Sequence, residues 1–347
     1  MRRSAGSPSG GPARRVLLLL NPGAGRARAL RHAQLRIEEH HGLQVDLIVP
    51  DPHEKRTQLD QARAAVEEGV DVVVVCGGDG MVSAGVNLVA LRGIPLGIIP
   101  AGSGNDFARA AGMPRRDEAA LQRVLHALSQ PQLQVRAVDA LRLQVEAHGE
   151  ASGGDRVAGG GRGSEGDDGE GGGARGRWVA NSVNIGFDAR VNQRANAQPK
   201  IPRQLRYLVA LAQEVPRFAP MKFDAEFDDA AAAHLDSALV CVQNGATIGG
   251  GIPLAPGARI DDGWAEVSQV APLSRAGLLA LFPLLMLRMH RWLTPLTRLR
   301  ARSIRIRVPA GAPVFADGDQ FLSGEHTGAE EVWVSAELVP GAVKLLG

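Results

Sequence analysis

Residues 72–81 read VVVVCGGDGM, and this stretch decides the fold. Five apolar side chains in succession leave no polar face, so Val72 to Cys76 reads as a strand buried on both sides, as at the centre of a parallel sheet. Gly77, Gly78 and Gly80 then end the strand in a turn whose backbone can approach a ligand closely. Outward from here, apolar runs of strand length alternate with segments of helical period. Val16–Leu20, Gln44–Val49 and Leu96–Ile99 read as strands, and Ala27–Glu39, Thr57–Glu68 and Met81–Leu91 as helices. Within the second of these helices Leu59, Ala62 and Val66 share one face, and Gly69 stands where it should stop. The rhythm predicts a doubly wound parallel α/β domain over residues 14–130.

Beyond residue 130 the period changes to two. Val135 and Ala137, then Leu141, Leu143 and Val145, and later Ile304, Ile306 and Val308 alternate as strands half-buried on one face do. A β-rich, sandwich-like second domain is expected over 131–347, with a C-terminal segment able to return to the first domain. Between Gly149 and Gly176 lie thirteen glycines and no large apolar residue beyond Val157. Burial there cannot offset the entropy of ordering, so a disordered insertion is expected. Residues 1–13, rich in Gly, Ser and Pro, are expected to form a flexible tail.

A chain of 347 residues suits about two domains. Its 44% hydrophobic and 22% charged residues exclude fibrous and wholly disordered classes. Cys76 and Cys241, far apart in apolar runs, provide neither a disulfide framework nor a cysteine zinc site, which points to a reducing cytoplasm. No run approaches the roughly 20 apolar residues of a membrane-crossing helix. Arg2 and Arg3 lead into Gly and Ser instead of an apolar segment, so no secretory signal is expected.

Three glycine-rich loops fall where α/β sheets bind ligands, at the carboxyl ends of strands. The first is Asn21-Pro22-Gly23-Ala24-Gly25. The second is Gly77-Gly78-Asp79-Gly80-Met81, where the acid can orient a metal-bound phosphate or cap the following helix. The third is Pro100-Ala101-Gly102-Ser103-Gly104-Asn105-Asp106-Phe107-Ala108-Arg109, which crowds a hydroxyl, an amide and a carboxylate into a loop that leads into a helix. Backbone amides and helix N-termini at such loops favour a polyphosphate, and Asp79 and Asp106 are expected on exposed loops that it must approach. The second loop lacks the Gly-Lys-Ser/Thr ending of a Walker A motif, and the chain has neither a Gly-x-Ser-x-Gly elbow nor a His-Glu-x-x-His pair.

These loops, with Asn181-Ser182-Val183-Asn184-Ile185-Gly186-Phe187-Asp188-Ala189, Asn244-Gly245, Gly249-Gly250-Gly251, Ala255 to Gly263 and Asp317-Gly318-Asp319, resemble the diacylglycerol kinase catalytic-domain family of soluble bacterial lipid kinases. Sphingosine, ceramide and NAD kinases are more distant kin. The resemblance covers nearly the whole chain outside the tail and the insertion. It implies ATP held by Asn21, Gly23, Gly25, Gly77, Gly78, Asp79, Gly80, Met81, Gly102, Ser103, Asn105 and Asp106. It implies Asp319 as general base on a lipid hydroxyl, with Asp317 next in line. It also implies a structural Mg²⁺ on Asp262 and the carbonyls of Arg259 and Trp264, with a second Mg²⁺ arriving with ATP. Relatives usually carry Thr-Leu-Asn-Glu where this chain has Met81, Val82, Ser83 and Ala84, and Glu where it has Asp319. The shorter Asp319 side chain moves a carboxylate by about 1 Å, which can cost on the order of 100-fold in rate. NAD kinase-like phosphorylation of a soluble nucleotide, a sphingoid or ceramide kinase, and a catalytically weak nucleotide- or lipid-binding regulator are the alternatives.

The acceptor implied is diacylglycerol or a related neutral lipid. Seven arginines (288, 291, 298, 300, 302, 305 and 307) with Trp292 follow the apolar stretch Leu278–Leu287. This suits peripheral contact with an anionic membrane surface, and equally a core helix followed by a solvated edge strand. Nucleic acid is not an expected partner, because aromatic residues make up only 4% and none accompanies the arginine-bearing strand.

Overall fold

The computed structural model describes residues 13–20, 36–37, 44–48, 55–146, 176–198, 201, 209–210, 212–217, 221–228, 230, 232–274, 276–277, 296–309, 312–322 and 331–347. The expected helix 27–39 therefore lies almost wholly outside the described residues. So do the insertion up to residue 175 and the segment 278–295.

Four strands, β1 (Ala13–Leu20), β2 (Gln44–Ile48), β3 (Val72–Gly77) and β4 (Pro95–Pro100), pair in parallel in the order β2-β1-β3-β4. Val72 to Cys76 are fully buried, because successive side chains enter cores on opposite faces of the sheet. On one face, α1 (Lys55–Glu68) and α2 (Asp79–Val89) set Ala62, Val66, Val82 and Val86 against Leu17, Leu19, Val73 and Val75. A short α3 (Asp106–Ala110) then leads to α4 (Asp117–Ser129). This last helix covers the other face, with Leu121, Val124 and Leu128 on Val16, Leu18, Val72 and Val74.

The chain continues through β5 (Val135–Val145), β6 (Gly176–Val179), β7 (Ser182–Gly186), α5 (Phe187–Asn196), β8 (Met221–Phe227), β9 (Ala233–Ser237), β10 (Leu239–Gln243) and β11 (Ala265–Val270). It ends in β12 (Leu296–Ala301), β13 (Ser303–Val308), β14 (Val314–Ala316), β15 (Asp319–Leu322) and β16 (Val332–Leu346). β16 extends the first sheet. β5 runs antiparallel along one side of it, while on the other side β13 pairs its first half and β4 pairs parallel with Lys344 and Leu345. The register shifts between Val339 and Val343, where Pro340 lacks an amide hydrogen. Buried Asp139 pins this bulge: Oδ1 accepts from Gly341 N–H at 2.9 Å and Oδ2 from Gly263 N–H at 2.8 Å.

The result is a ten-stranded sheet that serves both halves of the chain, facing a six-stranded antiparallel sheet in the order β12-β11-β10-β7-β14-β15. Val183, Ile185, Val240, Val242 and Val267 of the second sheet pack onto Leu141, Leu143, Phe223, Ile304 and Val334 of the first. This is the α/β layer plus β-sandwich that the two sequence periods predicted. No helix among the described residues is long and apolar enough to cross a membrane.

The described arginines of the basic stretch divide between the two sheets, and acids meet several of them. Arg300 on β12 lies 2.7 Å from Glu266, and Arg302 stacks on Trp264 at 4.4 Å. On β13, Arg305 bonds Glu146 at 2.6 Å and also Glu226, and Arg307 lies 3.2 Å from Asp224 and 2.7 Å from Glu331. Arg288, Arg291, Trp292 and Leu278–Leu287 lie outside the described residues.

Candidate active site

Because β3 and β4 are parallel neighbours, with Gly77 opposite Pro100, the loops after them leave from the same sheet edge. They touch backbone to backbone. A Cβ placed on Gly102 would stand 2.4 Å from the Gly78 Cα, closer than side-chain atoms approach. Asn105, in the left-handed region at φ 56°, folds its amide back onto Gly102: Oδ1 accepts from the Gly102 N–H at 3.0 Å and Nδ2 donates to its carbonyl at 2.8 Å. The Asn105 side chain thus shapes the loop, while Ser103 is exposed at its tip. Met81 packs into the core under α2, and its N–H donates to the Gly78 carbonyl at 2.9 Å. Asn21, Gly23 and Gly25 lie outside the described residues.

Two carboxylates join the loops. Asp79 leaves its own helix uncapped, since Gly78 is the N-cap of α2. Its Oδ1 instead accepts from the N–H groups of Asp106 at 2.7 Å and Phe107 at 3.3 Å, at the start of α3. Burial pushes its pKa up to about 6, helped by the Asp106 charge and opposed by these two amides. Asp106 departs from the expectation of an exposed ligand: it is 4% exposed and latches the third loop to the second half of the chain. Its Oδ1 accepts from Thr247 Oγ1 at 2.8 Å and Arg109 Nη1 at 2.6 Å, and its Oδ2 from Gly250 N–H at 2.7 Å. Arg109 Nη2 also donates to the Gly104 carbonyl at 2.8 Å, which closes the loop around its own acid.

On the sandwich side, Asp317 and Asp319 flank Gly318 between β14 and β15. Asp317 is buried, and accepts from the N–H groups of Ala180 (2.8 Å), Asn181 (2.8 Å) and Ser182 (3.1 Å). Its pKa is raised by burial, against which these amides and Arg177 work. This acid anchors the β6–β7 turn. Asp319 is 40% exposed, and its Oδ2 accepts from Arg177 Nη2 at 3.3 Å. The same nitrogen donates to Ser83 Oγ on α2 at 3.0 Å.

At the expected metal position, Asp262 Oδ1 accepts from Trp264 N–H at 3.1 Å and Oδ2 lies 3.7 Å from Arg300, while Arg259 Nε donates to Asp261 at 3.2 Å. The one carboxylate of this donor set thus lies near an arginine, and no chemistry is routed through it. Among the described residues, no group of three or more His, Cys, Asp or Glu is placed to hold a metal. Three residues of the site carry no motif signal of their own, Thr247, Arg177 and Asn87, whereas Arg109 closes the third loop motif. Only Asn87 could have been found, because Asp79, Ser83 and Asn87 recur every fourth residue and so share one face of α2.

Comparison with known proteins fits this geometry. Residues 15–136 match the diacylglycerol kinase catalytic domain, and residues 181–347 match the YegS C-terminal NAD kinase beta sandwich-like domain. A diacylglycerol kinase of Mycobacterium tuberculosis is 31% identical over 309 residues, 88% of each chain. A protein of Stenotrophomonas maltophilia named as a YegS-like lipid kinase is 28% identical over 81% of this chain and 80% of its own. Among solved structures, a diacylglycerol kinase from Bacillus anthracis superposes with a TM-score of 0.59 at 18% identity over 96% of both chains. Yeast NADH kinase complexed with NADH does so at 0.57 and 11% identity, over 99% of this chain and 88% of that one, which speaks for the fold alone. With both family domains in order and the mycobacterial identity spanning most of its length, the chain belongs to the diacylglycerol kinase family of lipid kinases.

Proposed function

We propose that this enzyme uses ATP with Mg²⁺ to phosphorylate a hydroxyl of diacylglycerol or a related neutral lipid, working at the surface of an anionic membrane. The observation that carries the reading is the meeting of two glycine-rich loops at Gly78 and Gly102, on an edge to which Asp319 is tied through Arg177 and Ser83. Gly80 is exposed, and a Cβ there would meet no protein atom within 4 Å, so the first turn of α2 leaves room for a phosphate against its unpaired amides. Asp79, beside Gly80, is an oxygen donor of the kind Mg²⁺ takes, and Mg²⁺ carried by the nucleotide would neutralise charge on the phosphates. Phosphoryl transfer asks for little beyond positioning and charge neutralisation, which loops of this type supply.

Asp319 then accepts the proton of the lipid hydroxyl, whose oxygen bonds to the γ-phosphorus as the bond to the ADP oxygen breaks. The test is transfer from radiolabelled ATP to neutral lipids in mixed micelles. Wild-type protein should yield the lipid phosphate, Asp319→Asn should abolish it, and Asp319→Glu should keep or raise it. No product from any neutral lipid would refute the reading, and full turnover by Asp319→Asn would move the base elsewhere.

A further inference from the structure

Asp319 is joined to the nucleotide-side half of the chain by Arg177, a residue outside every motif of the sequence. One terminal nitrogen of Arg177 reaches both Ser83 Oγ (3.0 Å) and Asp319 Oδ2 (3.3 Å). The two ends of this bridge differ in kind. Ser83 is fully buried on α2, whereas the Asp319 side chain is 40% exposed. A half-exposed side chain samples several rotamers unless something rigid holds it.

The strand that carries Arg177 is itself locked to α2. Asn87 Nδ2 donates to the Trp178 carbonyl at 2.8 Å, its Oδ1 accepts from the Trp178 N–H at 2.9 Å, and Nδ2 also donates to the Ser83 carbonyl at 2.8 Å. An amide that bonds both backbone groups of one residue imitates a neighbouring strand, so it fixes the register of β6 against the helix that starts at Asp79. Asp317, Arg177's second acidic neighbour, is held by three backbone amides and cannot follow the guanidinium if it moves. The guanidinium is therefore placed by the first half of the chain and places a carboxylate of the second.

We propose that Arg177 is the positioning residue of the transfer step, fixing the Asp319 carboxylate relative to the Gly78–Gly80 loop so that acceptor and phosphoryl group meet in line. This rests on the reading of Asp319 as the base. Arg177 is only 23% exposed and its loss leaves the buried Ser83 hydroxyl unpaired, so melting should fall somewhat. What marks a positioning role is a loss in kcat beyond that of Ser83→Ala, with KM for ATP held.

Four variants in the micelle assay test it: Arg177→Gln, Arg177→Lys, Ser83→Ala and Arg177→Gln combined with Asp319→Asn. Arg177→Gln should lower kcat by about 30- to 100-fold, the scale of a misplacement near 1 Å, with KM for ATP within about twofold of wild type. Arg177→Lys should recover part of that loss, since an ammonium still reaches one carboxylate oxygen. Ser83→Ala keeps the charge and the strand, so it should lower kcat less and still reports if Arg177→Gln folds poorly. In the Asp319→Asn background, which has no transfer left to lose, Arg177→Gln should leave the Kd for ATP within about twofold, as expected of a guanidinium that acts on the base and not on the nucleotide.

A normal kcat for Arg177→Gln beside an inactive Asp319→Asn would overturn the proposal and leave the base in place. A raised KM for ATP at unchanged kcat would overturn it too, by putting the guanidinium on the nucleotide. Full turnover by Asp319→Asn would remove the base reading and this inference with it.

Discussion

Gly102→Ala tests the contact on which the site is built. The new Cβ would lie 2.4 Å from the Gly78 Cα, 2.9 Å from Asn105 Oδ1 and 3.1 Å from the Gly78 nitrogen, where ordinary contact begins at 3.4 Å. None of these atoms can yield alone. Two are backbone at the start of α2, and the third belongs to the amide that holds Gly102's own peptide. The loops must therefore part by about 1 Å. That motion would strain the Asp79 bonds to the Asp106 and Phe107 amides, at 2.7 and 3.3 Å. Overpacking of this kind costs about 1–3 kcal/mol, and a phosphate site opened by about 1 Å loses on the order of 100-fold in rate. Urea unfolding measures the first quantity and kcat/KM for ATP in mixed micelles the second. Unchanged values in both would mean that the loops do not meet at Gly78 and Gly102, and the reconstruction of the site would fall.

Gly80→Ala should act in the opposite sense on stability, raising it by about 0.5–1 kcal/mol as alanine replaces glycine within α2, while KM for ATP rises by tenfold or more; a stabilised variant with normal KM would clear this turn of contact with phosphate. Asp79 has its folded pKa raised from 3.8 to about 6, so its contribution to stability is fully present below pH 4 and is lost as pH rises through 6. Asp79→Asn should accordingly lose activity yet match or exceed the wild type in stability at pH 7.5, by up to about 3 kcal/mol, with the advantage gone near pH 4; a clear destabilisation at pH 7.5 in urea melts would contradict this. Asp106→Asn should destabilise by about 2–4 kcal/mol, because either orientation of the amide sets an NH₂ against the donors of Thr247, Gly250 or Arg109, and a melting temperature equal to wild type would show that the latch is not closed.

The parallel sheet was legible because burial on both faces demands an unbroken apolar run, and Val72 to Cys76 supplies one. The sandwich was legible from period two. A C-terminal segment able to return to the first domain was expected, but the strand it would meet was not legible: the parallel pairing of β16 with β4 rests on Lys344 and Leu345 alone, too short to impose a pattern. Asp139, an acid inside the apolar alternation of β5, drew no reading from the sequence, although it holds the Gly341 bulge. In the site, the glycines could be read because close approach restricts the residue type. The polar side chains were harder to assign, because a hydroxyl, amide or carboxylate in a loop looks the same whether it serves a ligand or the loop itself. Asn105 and Asp106 serve the loop and its latch, Asp79 caps a helix other than its own, and Arg177 stands 142 positions from Asp319 in the chain.

The departures from the family's motif acquire a common meaning once their neighbours are known. Met81 fills core beneath α2, so the hydroxyl that relatives usually carry there is exchanged for packing. Ser83 accepts from the guanidinium that also holds Asp319, so a change on the nucleotide side and a change on the acceptor side meet at one residue. A shorter carboxylate is harmful only if it is free to wander or if its partner stays at the old distance. Here the partner is fixed from α2 through Ser83, and through Asn87 by way of β6, on elements of regular structure instead of loops. Motif residues compared one position at a time would count two losses, whereas the geometry joins them into a single arrangement in which Ser83 and Asp319 share the Arg177 guanidinium.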